Sequence, residues 1–133
     1  MRWIYITFTI LLFNGCSFKT PPNHWQYESI NAFDAYTKDF LSNDDTMAKN
    51  DIKRAIAHAK QGADMTQLAR IYLGKCALNI SVGIEDSCKE YKNIQELANS
   101  KELQAYYLFL HSKLKTKDIE LLPKRYQSFT KHL

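Results

Sequence analysis

Four histidines, three cysteines and a set of paired carboxylates are the side chains of this sequence whose chemistry reaches beyond packing. His24, His58, His111 and His132 are scattered, with no HExxH and no pair at i,i+4, so the helical spacing of a zinc hydrolase is missing. His24 falls in a polar stretch and His132 at the terminus, where a histidine is ordinarily solvated. His58 reads as a surface residue beside an apolar helix face. Ser128 and Lys131 stand one helical turn apart, the spacing that sets an amine on a hydroxyl for acyl transfer. No second motif accompanies them, and no mixed α/β pattern is present to build an oxyanion hole, so this reading is rejected. Glu28, Asp34, Asp39, Asp44, Asp45 and Asp51 would have to pair as acid and base for glycan cleavage. Helical periodicity puts them on helix exteriors or caps, where charge is solvated. There is no glycine-rich phosphate loop, no G-x-S-x-G and no EF-hand spacing.

The N-terminus carries a different chemistry. Arg2 precedes Trp3–Phe13, an uncharged apolar run too short for the roughly 20 residues of a membrane-spanning helix. Asn14-Gly15-Cys16 follows at once. The stretch Leu12-Phe13-Asn14-Gly15-Cys16 resembles the lipobox of bacterial lipoproteins, in which a large apolar residue and two small ones precede a cysteine. Gly15 and Cys16 fit that pattern; Phe13 stands where Leu is usual, and Asn14 where Ala or Ser is usual. The resemblance implies diacylglyceryl transfer to the Cys16 sulfur, cleavage before Cys16 and acylation of the new amino group. Each buried methylene would add ~0.8 kcal/mol to membrane anchoring. Two other readings of Trp3–Phe13 stay open: a buried element with an incidental cysteine, and an uncleaved anchor. Neither clean alternation nor a polar helical face supports the first. Ser17 stands where an Asp would favour inner-membrane retention, which leans toward the outer membrane. The polar stretch from Ser17 to His24, with Pro21-Pro22 inside it, reads as a short extended tether. The expected division is a signal peptide over 1–15, a lipidated cysteine and tether over 16–24, and a domain over 25–133.

With Cys16 set aside, Cys76 and Cys88 remain, and an even number in an exported chain invites one disulfide. Cys76 ends one apolar stripe and Cys88 begins the next across a short loop, so an antiparallel hairpin would face them at Cα atoms about 5.5–6 Å apart. The alternative is two free, buried thiols acting as small hydrophobes. A metal site would need two more ligands, and neither a CxxC nor a nearby His pair supplies them. No cofactor is expected.

The elements that must position these groups read as helices throughout. Trp25, Ser29, Phe33, Tyr36 and Phe40 recur at three and four residues, with Ala32 and Leu41 flanking. Ser42-Asn43-Asp44-Asp45 breaks that helix and offers cap oxygens to the next. Met47, Ala48, Ile52, Ala55, Ile56 and Ala59 form a second stripe, ending at Gly62 as a C′ residue. Asp64 caps a third helix with Met65, Leu68, Ala69, Tyr72, Cys76 and Ile80. Gly74 inside it costs ~1 kcal/mol relative to Ala unless it permits close contact. Asp86 or Ser87 caps a fourth, with Cys88, Tyr91, Ile94, Leu97 and Ala98. Ser100 opens a fifth with Leu103, Tyr106, Tyr107 and Leu110 inward. A last stretch over Asp118–Leu133 carries Ile119, Leu122, Tyr126 and Phe129, broken or kinked at Pro123.

The fold class is therefore all-α, a small bundle of stacked antiparallel helical hairpins. Ala55, Ala59, Leu68, Ala69 and Tyr72 resemble the small–large alternation of tetratricopeptide and Sel1-type repeats. Candidate pairs do not align at matched small residues, so the bundle is repeat-like, short of a regular array.

At 133 residues with 45% hydrophobic and 24% charged residues, the chain suits one globular domain. A formal charge of +4 falls short of a dedicated nucleic-acid binder, and no nucleic-acid partner is expected. Lys113, Lys115, Lys117, Lys124, Arg125 and Lys131 crowd the last part of the chain against Asp118 and Glu120. That end either faces anionic headgroups or an acidic partner, or is simply solvated. Tyr106-Tyr107 with Phe109 puts aromatics on more than one helix face, so some stay exposed unless another helix covers them. The expectation is a periplasm-facing envelope lipoprotein, held to the membrane through Cys16, that docks an unidentified envelope protein without catalysis. The alternative is a small envelope hydrolase acting on peptidoglycan, which needs a cleft holding a carboxylate of raised pKa.

Overall fold

A computed structural model describes residues 23–130 of the chain. The leader, Cys16, Lys131 and His132 lie outside the described residues. Six α-helices are found among the described residues: α1 His24–Leu41, α2 Asp45–Gln61, α3 Met65–Ser81, α4 Lys89–Ala98, α5 Lys101–Leu110 and α6 Lys124–Thr130. A 3-10 helix, Thr116–Leu121, precedes α6, and no strand occurs among the described residues. None of these helices is long and apolar enough to cross a membrane.

Three of the helix starts, those of α2, α3 and α5, follow from side-chain oxygens placed as the sequence suggests. Asp44 accepts from Met47 N–H at 3.1 Å, Asp64 from Gln67 N–H at 2.9 Å, and Ser100 Oγ from Leu103 N–H at 3.3 Å. Four of the stops, those of α1, α2, α3 and α5, share one device. Asn43, Ala63, Gly83 and Ser112 all have positive φ, each one residue past its helix's C-cap residue. Asn43 N–H bonds to Phe40 O, and Asp44 N–H to Asp39 O. The same two-bond pattern recurs after α2, α3 and α5, which is the Schellman arrangement. Because the turns are only three residues long between α1 and α2 and between α2 and α3, these helices double back on one another.

The left-handed position after α2 falls on Ala63 (φ 50°), while Gly62 is helical at φ −79°, correcting the expectation that Gly62 is C′. Gly62 is there for another reason: a Cβ on it would stand 2.9 Å from Trp25 Cβ on α1.

Helices α1 and α2 make the most extensive contact, with α3 and α4 next. Ala32, Ala48, Ala55 and Ala59, all buried, let α1 and α2 approach closely around Tyr36 and Ile52. Helix α3 is central. Leu68 and Ile71 enter this first core, while Ala69, Leu73 and Cys76 enter a second with Cys88, Tyr91 and Ala98. A helix buried on several sides shows no single apolar stripe, and that is why Ile71 and Leu73 fall outside the expected face.

Several expected core positions are exposed. Leu41, Met47, Leu97 and Phe129 face solvent, with Leu97 69% exposed, and Trp25 is exposed at the start of α1. The expected last helix is two pieces. Leu122, preceding Pro123, is driven to extended backbone at ψ 150° and buries its side chain there.

Candidate functional site

A cleft of about 690 Å³ opens between α1, α3, α5 and α6. Its floor is Phe33, Leu73, Gly74, Leu78 and Leu103, with Tyr106 and Tyr126 along one wall. Gly74 shapes that floor: a Cβ there would stand 2.5 Å from Phe33 Cζ, so the missing side chain is what lets the Phe33 ring lie across α3. The helical cost of that glycine is the same ~1 kcal/mol expected from the sequence, and the close contact is what it permits.

Helix α6 folds over α5 through its one tyrosine. Tyr126 stands 5.3 Å from the Tyr106 ring and 5.7 Å from Phe109, so the aromatics on this face of α5 have a cover. Burial, then the neighbouring Tyr126 phenol, pushes the Tyr106 hydroxyl far above its ordinary range. Tyr107 turns the other way, onto Tyr91 at 5.5 Å and His111 at 4.6 Å.

The rim is charged. Arg70 and Arg125 line the cleft, and the Arg125 guanidinium sits 4.8 Å over the Tyr126 ring centre. Glu102 is the one carboxylate among the cleft's lining residues. Its own backbone N–H, then the Ser100 hydroxyl donating at 3.0 Å, and Arg70 hold that carboxyl below its ordinary pKa. A general acid for glycan cleavage needs the opposite shift.

A raised side-chain carboxyl, that of Asp39, lies elsewhere among the described residues. Asp51, expected on a helix exterior, is 3% exposed. Arg54 bonds its Oδ1 through Nη2 and through Nε at 3.2 Å, and holds the Asp51 carboxyl low. Asp39 on α1 is pushed up, chiefly by sharing a hydrogen bond with Asp51. Neither residue lines the cleft.

Cys76 and Cys88 are joined in a disulfide with Cα atoms 5.3 Å apart, tying the last turns of α3 to the start of α4. Asp86 organises the loop between them, accepting from Cys88 N–H and from Asn79 Nδ2, both at 2.8 Å. It thus braces the approach to α4, while Cys88 itself occupies the cap position at φ 53°. A ring nitrogen of His111 and the two sulfurs lie within 4.8 Å of one another. No spacing along the chain signals this, because His111 arrives from the end of α5.

His24 and His58 lie elsewhere, both against one tryptophan. His24 packs beside Trp25 at 5.1 Å, and His58 stacks on Trp25 at 5.8 Å. Ser128 Oγ donates to Arg125 O on its own helix. No family model matches the chain, and neither a curated protein nor a solved structure matches it.

Proposed function

We propose that this protein is a non-enzymatic docking module of the bacterial cell envelope, anchored through lipid on Cys16 and facing the periplasm, with the outer membrane the favoured site. The observation that carries the docking reading is the cleft: an apolar floor beneath two guanidinium groups. Tyrosine and arginine around a concave apolar surface are the groups that dominate protein recognition energetics. Arg125, stacked on Tyr126, is partly preorganised for a carboxylate. The partner that fits is a protein segment carrying large apolar side chains beside an acidic group. The lipobox-like Leu12–Cys16 supports the anchor, and a closed Cys76–Cys88 bond fits an oxidising compartment.

Two experiments test the two halves. Intact mass of the membrane-extracted protein should give a chain cleaved before Cys16 and acylated, and a Cys16→Ala variant should lose both changes. An unmodified full-length mass would overturn the anchor. Docking is read with a benzophenone amino acid at position 77, on the cleft, and at position 53, exposed on α2. A reproducible adduct in envelopes from position 77 alone is expected. Equal labelling from both positions, or none from either, would overturn the docking reading.

A further inference from the structure

We propose that Cys76, Cys88 and His111 form a redox-gated zinc site, closed to metal while the disulfide stands and opened by its reduction. The three donor atoms already lie within 4.8 Å of one another. His111 Nε2 is buried and has no hydrogen-bond partner, an expense that a buried imidazole normally avoids. Its ring is fixed by Tyr107, whose ring centre is 4.6 Å away. Two thiolates on one tetrahedral zinc stand roughly 3.7 Å apart, given Zn–S bonds of about 2.3 Å. Side chains on Cα atoms 5.3 Å apart reach that separation by rotating, without moving α3 or α4.

The donor set selects the metal. Two sulfurs and an imidazole suit zinc and exclude the oxygen-seeking calcium and magnesium ions. Three protein ligands leave a fourth position for water. An open cleft lined by His111, Glu85 and Asp86 runs to this corner of the molecule and gives the ion a way in.

The chemistry balances in three steps. A dithiol reductant transfers two electrons and two protons to the Cys76–Cys88 bond, giving two thiols and becoming a disulfide itself. Zinc then binds both sulfurs and the neutral imidazole, releasing the two thiol protons. A disulfide oxidant then takes two electrons from the zinc-bound thiolates, becoming a dithiol as it picks up two protons, and the re-formed Cys76–Cys88 bond releases the ion.

The test uses the whole chain, reduced under argon with a phosphine that takes up oxygen from water, and then freed of it by gel filtration. Cobalt(II) is the probe. One equivalent should give the intense thiolate-to-cobalt absorption and the visible bands of a tetrahedral site, and zinc should displace it. The oxidised chain should give neither. His111→Ala should weaken zinc binding at least tenfold, since loss of even an outer partner costs about that much. Cys88→Ser should remove most of the thiolate absorption. If reduction unfolds the chain, zinc should restore its far-UV circular dichroism. A reduced, folded chain without thiolate absorption would overturn the proposal. So would an unfolded reduced chain that zinc does not restore, or a His111→Ala variant with unchanged zinc affinity.

Discussion

Breaking the Cys76–Cys88 bond should lower stability by about 3 kcal/mol, and the origin of that figure is the unfolded chain. The bond closes a loop of sequence separation 12. Chain-entropy arithmetic for a loop of that size gives ~3 kcal/mol at room temperature. In the folded protein little needs to move on reduction. Tyr91 stays wedged in the second core, Lys75 Nζ still meets Glu90 at 3.0 Å, and Thr66 Oγ1 still donates to Ala98 O at 3.4 Å. Comparing oxidised with reduced wild type therefore isolates the constraint, because no side-chain volume changes. With chelator present to hold metal out, reduction should lower the urea midpoint by ~2 M at an m-value of about 1.5 kcal/mol/M. The melting temperature should fall on the order of 15 °C for a domain of this size. The far-UV spectrum in water should barely change. A Cys76→Ala/Cys88→Ala double variant should lose at least as much, since it also leaves small voids at two buried positions. A midpoint shift under ~0.5 M, or two thiols titrating in the unreduced protein, would refute the reasoning.

Three further outcomes follow from particular residues. Ala63→Gly should stabilise the protein by about 1 kcal/mol in chemical denaturation, because alanine at φ 50° bears the left-handed penalty that glycine escapes; a loss of stability would mean the turn is held by something else. Tyr106 retains its proton in the folded state well above the pH at which a free tyrosine, near 10, releases it. Stability is therefore intact below about pH 10 and falls as pH rises beyond it, and pH-dependent melting should show Tyr106→Phe with a shallower alkaline decline. Asp39 has the same sign of shift, so the folded state loses stability as pH climbs from the ordinary carboxylate range through the raised Asp39 value. Asp39→Asn should accordingly raise the urea midpoint at pH 7, with the gain vanishing at pH 3.

Much of this fold was legible because local chemistry decided it. Asp44, Asp64 and Ser100 cap as their side chains dictate, α2 runs over Asp45–Gln61 as its stripe suggests, and the two cysteines meet across a short loop. What escaped has a tertiary cause in each case. A central helix carries no single stripe, so Ile71 and Leu73 went unread. Asp51 is buried only because α1 packs against α2 and Arg54 supplies a charge partner. Gly62 mimics a helix stop but is required by Trp25 on another helix.

The cleft was the least legible part. Phe33, Arg70, Gly74, Leu103 and Arg125 come from four helices, and no spacing along the chain links them. Gly74 alone gave a local hint, as a glycine kept inside a helix. The basic C-terminal run read equally as a solvated end or a surface for anionic groups, and Arg125 is the member of that run that lines the cleft. Likewise His111 joins the cysteines only when α5 returns to the end of α3.

The most direct test of the docking account is crosslink yield from position 77 in envelopes bearing an Arg70→Glu/Arg125→Glu double variant, with its melting temperature measured alongside. The account predicts that the adduct disappears while the fold melts as in the parent, because the acidic group of the partner has lost both guanidinium groups. An undiminished adduct in a folded double variant would contradict it.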